Sequence, residues 1–281
     1  MSITPHIVLN DASIAEIAAA RGLVVIRYQD GSVKVWDNES ASPALTSVAP
    51  GNIVKIAAGT IKYYQDWLRV YALLDADGDI HIEQLDDSDE LMVDLIPATL
   101  QGHAIDMVVL NNALYVQHKN GKVYSITNFE VKIETHLPIA GATYSDYGND
   151  TFYTVYAGQN GSVRVDGSNK HQPPAHLGTV TAIAASESHI VALLHDGTVV
   201  AWGDNSRGAC DVPADLGPVV AVAAGDHFSV VLLADGRVRG WGDNSKGQYN
   251  FPNDLPNVRQ ISTSFDETYV LTESGSIIRS H

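Results

Sequence analysis

Three aromatic residues fall within five positions in the segment TIKYYQDW: Tyr63, Tyr64 and Trp67. Tyrosine and tryptophan bury large areas with few rotatable bonds, so a cluster of them on a loop is chemistry for recognising another macromolecule. The alternative is that the rings fold back over their own sheet. Further on, QLDDSDELMVDL brings Asp86, Asp87, Asp89 and Glu90 together. Such a run suits a basic partner surface; it also reads as a solvated stretch that keeps the chain soluble. Two cations, Arg207 and Lys246, occupy matching positions in the near-identical segments WGDNSRG and WGDNSKG.

Other residue types that do chemistry lack the spacing for it. LDADGDIHIE sets Asp75, Asp77 and Asp79 at alternate positions, as a calcium loop does. The EF-hand pattern needs its glycine after the third acidic position, whereas Gly78 precedes Asp79. The eleven histidines show no HExxH spacing, and His189 and His227 begin apolar stretches. There is no G-x-S-x-G elbow and no glycine-rich phosphate loop opening a helix. Cys210 is the only cysteine, so it has no internal disulfide partner. We expect no catalytic residues, no metal, no cofactor, and a protein that is not an enzyme.

With 17 Lys and Arg against 33 Asp and Glu, the net charge is −16. A surface this negative repels phosphate backbones and anionic headgroups, which argues against nucleic-acid and membrane partners. The first residues lack a basic segment followed by a long apolar one, so the expectation is cytoplasmic synthesis without a signal peptide. Hydrophobic residues make up 45% of the 281, enough to build a core by packing alone.

The elements that position these residues come from a repeat. WGDNSRGACDVPADL, from Trp202, recurs as WGDNSKGQYNFPNDL, from Trp241, at an offset of 39. Upstream of each lies an apolar strand, an Asp-Gly turn and an alternating strand, the signature of a β-hairpin with a two-residue type I′ turn. The same pattern places turn glycines at Gly31, Gly78, Gly121, Gly161, Gly197, Gly236 and Gly275. About eleven residues before most of them runs an Ala- and Val-rich stretch such as IAEIAAA or VAVAAG, whose small side chains suit a crowded inner strand. The expectation is one all-β domain over residues 1–281, a seven-bladed β-propeller built from repeats of about 40 residues, with the strand at 6–9 closing the last blade. The interval from Gly31 to Gly78 is eight residues longer than the regular 39. The excess holds Tyr63, Tyr64 and Trp67, which places them in a loop between the inner and middle strands of the second blade.

The WGDNSRG and WGDNSKG segments, following DGxVxxW hairpins, closely resemble repeats of the RCC1 (regulator of chromosome condensation) family, and their short unit is most similar to the bacterial branch that includes β-lactamase inhibitor protein II. The tryptophan five residues after the turn glycine recurs at Trp36, Trp202 and Trp241, and is replaced by Glu83, Ile126, Asp166 and Ser280 elsewhere. The resemblance implies a propeller that binds a protein partner through one face; the sequence itself leaves a glycan open as the alternative ligand. It also implies three roles: a structural or host-recognition component of the phage tail or virion type, located in the virion if phage-encoded; an inhibitor of a specific enzyme; or a guanine-nucleotide exchange factor for a small GTPase.

Overall fold

The computed structural model describes residues 6–20, 22–37, 45–49, 52–63, 66–84, 96–110, 113–126, 131–134, 143–145, 152–157, 161–166 and 170–280. Every regular element among them is a strand, and these strands form seven separate antiparallel sheets of three or four. They fall into two compact units.

One unit spans residues 13–139. Its first sheet is β2 (Ile14–Ala20), β3 (Leu23–Tyr28), β4 (Val33–Asp37) and β5 (Leu45–Ala49). The second is β6 (Ile53–Tyr63), β7 (Asp66–Asp75) and β8 (Ile80–Gln84), and the third is β9 (Ala104–Leu110), β10 (Ala113–His118), β11 (Val123–Ile126) and β12 (Val131–Glu134). The other unit holds residues 1–12 and 140–281. It contains β13 (Thr143–Ser145), β14 (Phe152–Ala157) and β15 (Val163–Asp166), then β16 (Val180–Ala185), β17 (His189–Leu194) and β18 (Val199–Gly203). There follow β19 (Val219–Gly225), β20 (Phe228–Leu233) and β21 (Val238–Gly242), and finally β22 (Val258–Thr263), β23 (Thr268–Thr272) and β24 (Ser276–Arg279). The terminal strand β1 (His6–Asn10) pairs antiparallel with β24 and makes the last sheet four-stranded.

The middle strands β3, β17, β20 and β23 are the most deeply buried of their sheets because they are covered on both faces. In β7, Tyr71 and Leu73 pack with Val25 and Val35, while Val70, Ala72 and Leu74 pack with Met107, Leu114 and Val116. In β17, Ile190, Ala192 and Leu194 pack with Tyr153 and Val155, and Val191 and Leu193 with Val231 and Leu233. Alternate residues of one strand thus serve two neighbouring sheets, and every residue of β17 and β20 is buried.

The seven turn glycines all have positive φ, from 73° to 90°. Where the residue before the glycine is described, the turns are not the two-residue type I′ form that the Asp-Gly pairs suggested, since that form needs positive φ at that residue too. Among the described residues only His227 has positive φ without being glycine. Gly31 N instead donates to Tyr28 O, and Tyr28 N donates to Ser32 O, giving a type I turn closed by a glycine bulge. The aspartate contributes as an acceptor: Asp30 Oδ1, Asp196 Oδ1 and Asp235 Oδ1 each take the N–H of the residue beyond the glycine. The turn also ties neighbouring sheets, because Gly31 O accepts from Ile53 N, Gly161 O from Val180 N and Gly236 O from Val258 N.

A second recurring device was not visible as a motif. In six sheets the register of the first strand slips at its second residue, leaving Ala15, Val54, Ile105, Thr181, Val220 and Arg259 as β-bulges. A bulge residue lies outside the register of the ladder, and among the described residues Val54, Ile105 and Val220 are three of the four large hydrophobic residues that are exposed.

The extra residues in the second sheet do not form a loop. Ile61, Lys62 and Tyr63 continue β6, and Asp66, Trp67 and Leu68 begin β7, with Lys62 paired to Trp67 and Tyr63 to Asp66. Ile, Thr, Tyr and Trp fit a pleated surface well, so the added length is taken up as strand and only residues 64–65 lie between the arms. Gly59 permits the crossing with the next sheet: a Cβ there would lie 2.5 Å from Val109 Cγ1.

Candidate functional site

The two WGDNS loops follow β18 and β21, and their shared residues are consumed in building the loops. The buried Trp202 donates its indole N–H to His171 O at 2.7 Å, and Trp241 donates to Ala209 O at 2.8 Å. Each glycine then brings the chain against the preceding turn, where Asp204 N donates to Ser188 O and Asp243 N to His227 O, both at 2.8 Å. At Gly242, with φ of 94°, a Cβ would lie 2.5 Å from His227 O, so no other residue fits. Asp204 Oδ1 accepts from Ser206 N, and Asp243 Oδ1 from Ser245 N. Asn205 and Asn244 close the far side, each accepting a backbone N–H and donating to Asp211 or Asn250.

What varies between the loops points outward. Arg207 reaches across to Asp243 in the next loop, and Lys246 Nζ reaches Asp266 Oδ2 at 3.1 Å in the turn between β22 and β23. The Asp243 carboxyl is pushed down to about 2, first by the hydrogen bonds of Ser245 and then by Arg207. The two cations proposed for partner binding therefore tie successive repeats along one end of the sheets β16–β24. At the same end lie residues that sequence reasoning passed over: Asp226, His227 and Phe265. Asp226 N donates to Phe265 O at 2.7 Å, and the Phe265 side chain is 44% exposed. His227 adopts φ of 56°, a left-handed conformation that histidine tolerates better than most residues, and its N–H donates to Ser188 Oγ. The 39-residue offset did carry a signal, for Glu187, Asp226 and Phe265 are equivalent positions and only the last is apolar.

Beneath this end lies a buried polar layer. His189 is fully buried, with Nε2 2.7 Å from Ser229 Oγ and Nδ1 3.0 Å from both Ser186 Oγ and Ser188 Oγ. Ser229 donates its hydroxyl to Ala209 O, so His189 Nε2 carries the proton and Nδ1 accepts from a serine. Burial, then the neighbouring His227 and His171, push its pKa down to about 4, so the ring is neutral. The ring of Tyr153 stacks on His171 at 4.0 Å, and its hydroxyl donates to Ser186 O. Cys210 is no nucleophile at neutral pH: burial, then Asp211 and Asp204, push its thiol up to about 11.

Of the remaining residues singled out, Tyr63 and Trp67 stand on opposite arms of the β6–β7 hairpin. Trp36 lies in β4, opposite Val24 and Leu45. Tyr64, Asp86, Asp87, Asp89 and Glu90 lie outside the described residues.

Residues 180–209 and 219–248, which hold β16–β18 and β19–β21, match the family model of the regulator of chromosome condensation (RCC1) repeat. These two sheets carry RCC1-like repeats. The WD40 ectodomain of the Arabidopsis thaliana receptor kinase ACR4 has a similar structure, with a TM-score of 0.68 at 15% identity, covering 95% of each chain. Yeast RCC1 (Prp20), in its structure with Kap60 bound, gives 0.53 at 14% identity over 95% of this chain and 69% of that one. BBS1N in complex with ARL6DN gives 0.58 at 16% identity over 98% and 96%. No curated protein sequence matches the chain. The chain is an all-β protein of the β-propeller class, with RCC1-like repeats where its signature loops stand.

Proposed function

We propose that this RCC1-like chain is a non-enzymatic binding protein that docks a protein partner on the loop-bearing end of the sheets β16–β24. One observation carries the reading: the charged side chains of the signature loops are spent on neighbouring repeats, which fixes that end in advance and leaves Phe265 standing out of it. A preformed surface with an exposed aromatic loses little entropy when a partner binds. Proteins of similar fold are seen with protein partners, yeast RCC1 with Kap60 and BBS1N with ARL6DN. The finer role we favour is a structural or host-recognition component of the phage tail or virion type, because tying successive repeats together is what a rigid scaffold requires. An enzyme inhibitor of the bacterial branch and a nucleotide exchange factor are the competing roles.

A second docking site has one observation in its favour, the β6–β7 hairpin, whose strands of 11 and 10 residues outrun the six-residue β16 and β17 and carry Tyr63 and Trp67 on their outer ends. Cross-linking mass spectrometry on the partner captured from the source lysate tests both. Cross-links concentrated on residues 204–211, 226–227, 243–250 and 265–267 are expected. Capture that survives changes at that end and is lost in a Tyr63→Ala, Tyr64→Ala, Trp67→Ala variant would transfer the site to the hairpin.

A further inference from the structure

Two histidines stand ring against ring where the second and third sheets of the 13–139 unit meet. The exposed His103 precedes β9 and the half-buried His118 ends β10; their rings are parallel within 1°, with centroids 5.1 Å apart. Hydrogen bonds fix where each neutral ring carries its proton. His103 Nδ1 lies 2.7 Å from Gln101 O, which only accepts, so Nδ1 bears the proton. His118 Nδ1 accepts the Asn120 N–H at 2.9 Å, so its proton is on Nε2. That bond belongs to the Gly121 turn, in which Gly121 N also donates to His118 O and Lys122 N to Asn120 Oδ1. The same corner joins the sheets. Lys119 N donates to His103 O and Lys119 Nζ to Gly102 O, while Ala104 N donates to Gly78 O in the turn between β7 and β8. The Gln101 side chain grips the start of β8, bonding both the N–H and the carbonyl of Ile80.

Histidine is the side chain whose ordinary titration falls between about pH 5 and 8. A proton on His103 Nε2 leaves its bond to Gln101 and the stack in place. A proton on His118 Nδ1 takes the lone pair that holds the Asn120 N–H, sets two donors against each other, and completes a pair of stacked cations. Among the described residues no carboxylate is bonded to either ring. Lys119 and Lys122 on the same turn add positive charge, and Tyr124 of β11, 5.7 Å from the His118 ring, is neutral. Asp79 lies beyond Gly102, where a Cβ would be 4.0 Å from its Oδ1. Asp75 is engaged by His81 and by the N–H groups of Asp77 and Asp79, Asp106 by Lys55, and Glu134 in β12 stands opposite Val123. We propose that the His103–His118 stack is a proton-released latch. With the rings neutral it holds the Gly121 turn on the segment 101–104, and when both take up a proton the turn lets go. The latch is an acid-responsive device of the 13–139 unit and is independent of the docking reading.

The test is hydrogen exchange of the full chain, read by mass spectrometry at about pH 7.5 and about pH 5, which bracket ordinary histidine titration. Rates are corrected for the intrinsic effect of pH on amide exchange. Peptides covering residues 101–105 and 115–124 should lose protection about tenfold at the lower pH, the worth of one lost hydrogen bond. Residues 23–36 of the same unit, whose Gly31 turn holds no histidine, should change less than about twofold. His118→Gln keeps an oxygen to accept the Asn120 N–H but has nothing to titrate, and should cut the pH effect below about twofold. His103→Phe keeps a ring in the stack that takes no charge, and should leave the effect smaller than in the wild type. Unchanged protection in the wild type, an equal loss in residues 23–36, or a loss in either variant as large as in the wild type overturns the latch.

Discussion

In the sheets β16–β18 and β19–β21 the outer strand ends in Trp202 or Trp241, whose indole holds the loop before its own sheet. In β6–β8 the same position, five residues beyond the turn glycine, is Glu83, an exposed charge. The middle strands diverge too. Eight residues before the turn glycine stands His189 in β17 and Val70 in β7, both fully buried, one in a hydrogen-bonded layer and one in an apolar cluster. Both rest on apolar contact, to which the signature repeats add the indole and histidine ties and the β6–β8 sheet adds the ion pairs Lys55–Asp106 and Arg69–Asp37 and the close approach at Gly59. The same hairpin plan thus carries two sets of ties, and only the one built on the Trp-Gly-Asp-Asn-Ser loops leaves a readable motif.

The largest expected effect is at Trp241. Trp241→Ala removes a buried ring and leaves Ala209 O one donor short, and should cost about 3–5 kcal/mol in urea unfolding. Glu83→Ala should stay within about 0.5 kcal/mol. A small loss at Trp241 would break the comparison.

The second test is pH. An unfolded histidine titrates near 6.5, whereas His189 in the fold holds out to about 4. The unfolded chain therefore takes up the proton first, and the stability present above about 6.5 is lost as pH falls toward 4 and levels off below it. Unfolding free energies across that range should fall by about 3 kcal/mol more in the wild type than in His189→Gln. A Val70→Ala variant destabilises without altering the pH slope.

Smaller in effect, Gly59→Ala should cost about 1–3 kcal/mol by overpacking against Val109, and a double change with Val109→Ala should recover part of it. A double-mutant cycle showing strict additivity would remove the close approach as the tie between those sheets. Smallest are Arg207→Ala and Lys246→Ala, each about 1 kcal/mol or less because both cations are solvent-facing.

Much of this was legible in the chain. The hairpins, the positions of the turn glycines and the apolar middle strands follow from patterns a few residues long. The turn type was missed because Asp-Gly serves both a type I′ turn and a type I turn with a glycine bulge, and the choice depends on whether the aspartate itself takes positive φ. The β6–β7 extension was missed because surplus length between strands is read as a loop, whereas its β-favouring residues pair with one another. Phe265 went unnoticed because its signal, an apolar residue where the 39-residue offset has Glu187 and Asp226, lies in a turn and outside the strand alternation.

By itself the sequence determined an all-β chain of repeated hairpins, since turns and strand alternation are fixed by backbone preferences acting over a few residues. Tertiary structure decided which charges are spent and which remain. Arg207 finds Asp243 at 36 positions' distance and Lys246 finds Asp266 at 20, while Asp226 faces His227 Nε2 at 3.6 Å and Phe265 stays exposed. Such assignments depend on the stacking of one sheet on the next, because a carboxylate's partner is set by distance in space and by burial, and neither quantity is written in the spacing of the residues.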